Sequence, residues 1–183
     1  MGAGGGIPLK LRIKIVLCLI VLALWVVVGC KSRVPVTAEL KIYPADNTTS
    51  VLTKSGVEAD PSITADGHGS LRLTATEPTT FRLYETGDLD VENSRLIYQA
   101  RIRTDGVDGE VYLEMWCHFA GKGEYFSRAL HAPVTGTVDW TTQETPFFLR
   151  KGENPDNVRL NLVVNGTGTA WIDDIHLVKG PLE

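Results

Sequence analysis

From Gly109 to Phe119 the sequence reads GEVYLEMWCHF. Side chains alternate across a β-strand, so every second residue shares a face. Val111, Leu113, Met115, Cys117 and Phe119 fall on one face, an uninterrupted apolar set. Glu110, Tyr112, Glu114, Trp116 and His118 fall on the other, which mixes aromatic rings, carboxylates and an imidazole. This pattern predicts a half-buried strand with a polar outer face. The same division recurs in Arg95–Thr104, where Leu96, Tyr98, Ala100 and Ile102 oppose Gln99, Arg101 and Arg103. It recurs again in Asn157–Val164, where Val158, Leu160, Leu162 and Val164 oppose Arg159 and Asn161.

Further apolar/polar alternation marks strands at Ala38–Tyr43, Ser70–Thr76, Thr79–Tyr84, Tyr125–Ala132, Thr141–Leu149 and Thr169–Val178. Turn-forming residues separate them, as in Asp105-Gly106-Val107-Asp108-Gly109, Gly121-Lys122-Gly123 and Asn165-Gly166. No window supports a long amphipathic helix, and Pro44 to Ile63 is the least readable stretch. Many short strands in about 145 residues predict an all-β fold, an antiparallel two-sheet sandwich or jelly roll.

The chain has 183 residues, enough for one domain with a real core. Apolar residues make up 43% and charged ones 22%, the balance of a globular protein. Three of the eighteen basic residues, Lys10, Arg12 and Lys14, precede position 30; the remaining fifteen face twenty-two acidic groups, a net of −7. Phosphate affinity comes from Lys and Arg, so so acidic a body argues against a nucleic-acid partner.

The three N-terminal charges precede an apolar run, Ile15 to Gly29, in the layout of a signal peptide. Fifteen helical residues reach about 22 Å, short of a hydrocarbon core of about 30 Å. The run ends in Val27-Val28-Gly29-Cys30, which resembles the lipobox of bacterial lipoproteins. That resemblance implies a signal peptide over residues 1–29, a lipidated Cys30 as the mature N-terminus, and a domain held on a membrane in the cell envelope, outside the cytoplasm. A single transmembrane anchor is the alternative, and Lys31 and Arg33 fit it. Lys31 to Thr37 reads as a tether, and residues 38–180 as the domain. With Cys30 lipidated, Cys117 is left without an intrachain disulfide partner.

The segment Gly136-Thr137-Val138-Asp139-Trp140, the strand around Leu160, and Gly166-Thr167-Gly168-Thr169-Ala170-Trp171-Ile172-Asp173-Asp174-Ile175-His176-Leu177 resemble the ending of galactose-binding-like jelly rolls. These include carbohydrate-binding modules of the kind attached to cellulases and xylanases. Asp66-Gly67-His68-Gly69-Ser70-Leu71-Arg72-Leu73 is similar to an early strand of the same fold. The resemblance implies a jelly roll and a structural calcium held by Asp173 or Asp174, carbonyls near Gly67 and Gly69, and an early acid such as Glu39. The alternative is an acidic pair that ends hydrogen bonds at a sheet corner.

Sugar recognition needs flat apolar rings beside polar side chains. The candidate ligand face is therefore Trp116, Tyr112, Glu114, Gln99, Arg101 and Arg103. Its alternative is a solvated sheet carrying cross-strand Arg–Glu pairs. No G-x-S-x-G, H-E-x-x-H or C-x-x-C motif occurs. Glu110 and Glu114 lie about 13 Å apart along a strand, too far for a glycosidase pair. The expectation is a non-catalytic binding lipoprotein with a glycan as ligand, or a scaffolding lipoprotein whose sheet docks an envelope protein.

Overall fold

The computed structural model describes residues 37–182. The expected leader, Cys30 and nearly all of the tether lie outside the described residues. The strands are β1 (Ala38–Tyr43), β2 (Val57–Asp60), β3 (Ser70–Ala75), β4 (Thr79–Thr86), β5 (Ser94–Phe119), β6 (Gly123–Arg128), β7 (Val134–Leu149) and β8 (Asn157–Gly180). All pairings between them are antiparallel, and the described residues form no helix. The fold is an all-β sandwich, as the alternation predicts.

The scaffold is a ribbon of β5 and β8 paired along their length, from Arg95↔Gly180 to His118↔Asn157. Each strand contributes to both layers. In the back layer, the first half of β5 lies between β7 and the second half of β8, and β8 continues the sheet through β1 and β3. In the front layer, the order is β4, the first half of β8, the second half of β5, and β6. The layers meet at both margins. Tyr43 of β1 stacks on Tyr84 of β4 with ring centroids 4.6 Å apart. Ser127 of β6 hydrogen-bonds to Thr145 of β7 at 2.7 Å.

The core forms where the two inner faces oppose each other. Leu96, Tyr98, Ala100 and Ile102 from the back layer are fully buried, as are Val111, Leu113, Met115 and Cys117 from the front. Each large aliphatic side chain so buried contributes about 2 kcal/mol. Cys117 is a core residue, and burial pushes its thiol up to about 12.

The ribbon folds over at Asp105–Gly109 and Asn165–Gly168. Register between β5 and β8 slips here, from Asp105↔Thr169 to Asp108↔Thr167, and Gly109 faces Gly166. The backbones nearly touch. A Cβ at Gly109 would lie 2.2 Å from the Asn165 carbonyl oxygen, and one at Gly166 would lie 1.9 Å from that of Asp108. A Cβ at Gly168 would meet the Val107 Cα at 2.7 Å. The turn chemistry read from the sequence is therefore real, but it bends two continuous strands instead of reversing the chain. That is why Arg95–Thr104 and Gly109–Phe119 are one strand, and why Asn157–Val164 and Thr169–Val178 are another. β2, which pairs with β3, lies in the stretch that alternation left unread.

The corner makes a quantitative expectation. Gly109→Ala and Gly166→Ala each force backbone apart and lose roughly 3 kcal/mol, the upper range of an overpacking cost. Gly136 also has positive φ (70°), but no atom stands within 4 Å of its Cβ position. Gly136→Ala accordingly costs about 1 kcal/mol, from backbone strain alone. Denaturant unfolding of the three variants tests this ranking; equal losses would contradict it.

Candidate functional site

The outer face of the front layer is built row by row from cross-strand neighbours. Trp116 of β5 sits between Phe126 of β6 and Arg159 of β8. One row along, Glu114 sits between Arg128 and Asn161, and Asn161 is paired across to Arg82 of β4. Trp116, Arg159, Glu114, Arg128, Asn161 and Arg82, with Thr80 and Glu124, line an open groove of about 480 Å³, and Phe126 packs beside Trp116. The alternation in residues 109–119 therefore puts Trp116 and Glu114 outward, and the aliphatic set inward.

Aromatic surface and charge are interleaved here. Trp116 and Phe126 lie 5.0 Å apart between centroids, tilted by 46°. Phe126 is 51% exposed and Trp116 is half-buried. The Arg128 guanidinium lies 4.4 Å from the Phe126 ring centroid, and that of Arg159 lies 5.7 Å from the Trp116 ring centroid. Arg159 also donates to Glu124 at 2.7 Å.

Glu114 forms the floor, only 3% exposed. Arg128 Nε donates to its Oε2 at 2.6 Å and Asn161 Nδ2 to its Oε1 at 2.9 Å. Burial alone would raise its pKa, but hydrogen bonds from Asn161, Trp116 and Arg128, together with the Arg128 charge, hold it below the usual glutamate value. A carboxylate held ionised in this way is a poor proton donor. It serves as an anchor that fixes the Asn161 amide and the Arg128 side chain in place.

The structure does not gather all six candidate ligand residues. Trp116 and Glu114 share the groove. Tyr112 is only 8% exposed, covered by its neighbours, and does not line it. Gln99, Arg101 and Arg103 belong to the half of β5 in the back layer, on the opposite outer face. There Arg101 donates to the Ala65 carbonyl at 3.1 Å, and Arg103 pairs with Asp139 at 3.4 Å. The expectation of one polar face spanning 95–104 and 109–119 is corrected by the ribbon's fold. Trp140 lies on β7, away from the groove, and Trp171 is buried with its indole N–H on Asp60 Oδ2 at 3.0 Å. The groove residues that sequence reasoning passed over are Arg128, Arg82, Thr80 and Glu124, together with Phe126 beside Trp116. Arg159 and Asn161 were legible as outward but not as neighbours of Trp116.

Of the residues that the family resemblance assigns to calcium, Gly69, Asp173 and Asp174 line one pocket together with Asp46 and Asp66. Asp173 is 2% exposed, and its Oδ2 accepts from the backbone N–H groups of Ala65 at 2.6 Å and Asp66 at 3.2 Å. Its Oδ1 accepts from the Asp174 N–H at 2.7 Å. These contacts pin the loop before β3, and Gly67 donates its own N–H to Thr64 Oγ1. Glu39 and Asp174 flank His176, at 2.8 Å from Nδ1 and 2.6 Å from Nε2. Among the described residues no three His, Cys, Asp or Glu side chains converge as metal ligands. Asp174 has φ of 52°, a bulge that lets Asp173 and Asp174 serve different partners.

A second cleft of about 290 Å³ opens between β6 and β7, lined by Phe119, Tyr125, Phe147, Phe148, Lys122 and Glu153. Tyr125 and Phe148 are 51% and 59% exposed.

No family model matches the chain, and no curated protein matches it. Its fold does match solved structures. The CBM22-1 xylan-binding domain of Paenibacillus barcinonensis Xyn10C superposes with a TM-score of 0.53 at 14% identity, covering 78% of this chain and 96% of that one. A family 16 carbohydrate-binding module gives 0.50 at 14% identity, covering 67% and 84%. The CBM22-1 and GH10 modules of Clostridium thermocellum xylanase 10B, solved with xylohexaose, give 0.53 at 12% identity, covering 76% of this chain and 28% of that one. The chain shares the β-sandwich fold of these carbohydrate-binding modules.

Two pH responses of opposite sign follow. The lowered pKa of Glu114 means that its contribution to stability is present above about pH 4.5 and is lost as pH falls through the folded-state value. His176 runs the other way. Burial lowers its pKa, but Asp174 and Glu39 more than compensate and raise it above 6.5. Its contribution is present below pH 6.5 and is lost as pH rises through that raised value. Melting temperatures should show the deficit of Glu114→Gln shrinking from pH 6 to pH 3, and that of His176→Asn shrinking from pH 5.5 to pH 9. A deficit that does not change with pH would contradict either assignment.

Proposed function

We propose that the domain is a non-catalytic carbohydrate-binding module, and that the front-layer groove is its binding face. The observation that carries this reading is the half-buried Trp116 beside Phe126, in a groove whose rim offers guanidinium, amide and hydroxyl groups. A pyranose has an apolar C–H face and a polar edge, and this groove supplies both complements. The likeness in fold to a xylan-binding domain adds support and makes xylan a sensible first probe. Groove charges already satisfied by one another, as Glu114 is by Arg128 and Asn161, favour binding over proton transfer.

We also propose that the domain is displayed on a membrane in the cell envelope through lipid on Cys30. The charged segment, the apolar run and Val27-Val28-Gly29-Cys30 support that reading. A tether of a few residues would hold the groove near the membrane surface. Metabolic labelling with a fatty acid should mark the wild-type chain and fail to mark Cys30→Ser; equal labelling would overturn the anchor.

A protein-docking role is the second reading, and the exposed Tyr125 and Phe148 of the β6–β7 cleft favour it. The two are separated by Trp116. Loss of about 100 Å² of ring contact weakens binding by about 2 kcal/mol, roughly thirtyfold. Titration calorimetry with xylan oligosaccharides should show that loss in Trp116→Ala and unchanged affinity in Trp140→Ala. Equal affinity of Trp116→Ala and wild type would remove the groove from the binding site.

A further inference from the structure

We propose that the groove takes an acidic glycan, one bearing uronic-acid carboxylates, and that Arg82 is the residue that pairs with such a carboxylate. This rests on the carbohydrate reading of the same groove and names its substrate class.

Seven arginines lie on the strands of the described domain: Arg72, Arg82, Arg95, Arg101, Arg103, Arg128 and Arg159. Six have a protein acceptor. Arg72 donates to Glu58, Arg95 to the Pro181 carbonyl and Arg101 to the Ala65 carbonyl. Arg103 pairs with Asp139, Arg128 with Glu114 and Arg159 with Glu124. The Arg82 side chain alone has no acceptor among the described residues, and it lines the groove. In a body with a net charge of −7, carboxylates are abundant, yet none is placed on this guanidinium.

The groove's charge balance agrees. Three guanidinium groups line it against two carboxylates, Glu114 and Glu124, and both carboxylates are already paired. The surplus positive charge is Arg82. Its cross-strand neighbour is Asn161, whose Oδ1 is buried without a donor, and whose Nδ2 is held by Glu114. Arg82 therefore stands over a floor fixed by hydrogen bonds, one row from Trp116. Thr80, on the same face of β4, adds a hydroxyl. A planar guanidinium fork matches a planar carboxylate with two parallel hydrogen bonds. A ring stacked near Trp116 with a carboxylate reaching Arg82 would use both features at once.

The test compares two polymers that differ only in charge: glucuronoxylan and the same glucuronoxylan with its carboxyl groups reduced to alcohols. Affinities of the full chain are measured by titration calorimetry. The wild type should bind the acidic polymer about tenfold more tightly than the reduced one. Arg82→Gln should abolish that tenfold preference for the acidic over the reduced polymer. Dextran sulfate serves as a polyanion control and should bind at least tenfold more weakly than glucuronoxylan. Equal wild-type affinity for the acidic and reduced polymers would overturn the acidic-ligand inference and leave the carbohydrate reading standing. Dextran sulfate binding as tightly as glucuronoxylan would overturn carboxylate recognition in favour of general attraction to anions. Binding to neither xylan form would overturn both this inference and the reading on which it rests.

Discussion

At the fold of the central ribbon, two backbones come closer than any side chain allows. Gly109 and Gly166 face each other, and each lies against a carbonyl of the opposite strand. Only residues without a Cβ permit this approach. It lets β5 and β8 bend together and place their halves in two stacked layers. Without the bend, the apolar faces of the two halves would lie along one long ribbon with nothing to cover them. The hydrophobic driving force for folding is thus realised only because three glycines make the corner. The register slip there also changes which residues point inward, from Ile102 and Thr104 to Val107 and Val111, all buried.

That corner also decides the composition of the groove. It divides the outward polar residues of β5 between two faces, so Arg101 and Arg103 work on the back layer while Glu114 and Trp116 work on the front. On the back layer, the outward groups are spent on structure: Arg101 and Asp173 both hold the loop at 64–66. On the front layer they are spent partly on one another and partly not at all. Glu114 costs desolvation energy in its buried position, and removal of either donor would leave a charge poorly compensated. Such a charge is retained where it orients other groups, and here those groups are Arg128 and Asn161.

The alternating residues of 109–119 made the front strand, its inner face and the outward Trp116 readable before any coordinates. The strand class of nearly every element was readable for the same reason, since period-two patterning survives in a sheet with one face buried. Continuity was not. Asp105-Gly106-Val107-Asp108-Gly109 and Asn165-Gly166 carry the same residue types whether the chain reverses or bends, because both need positive φ and close backbone approach. β2 escaped because a four-residue edge strand, Val57–Asp60, is too short to show a period. The groove was half legible. Trp116 and Glu114 follow from parity, but Arg82 and Arg128 come from strands 32 residues or more and 14 residues away, and only register brings them alongside. The Tyr125-Phe126 pair hides its own parity, since both residues are aromatic and one must face each way.

The front-layer groove combines side chains that are already ordered with one that is uncommitted. A binding site loses affinity when side chains must be ordered on contact. Glu114, Asn161 and Arg128 are already ordered by mutual hydrogen bonds, and Arg159 is held by Glu124 and by the Trp116 ring. A ligand arriving there meets a surface that needs little rearrangement. Arg82 differs, being exposed and uncommitted, so a ligand that paired with it would also have to order it. Under the proposed carbohydrate reading, stacking on Trp116 would supply contact common to many sugars, while pairing at Arg82 would depend on the ligand's own charge. Under that reading, discrimination between glycans would reside in the group that the protein leaves unsatisfied, and not in the network that it completes itself.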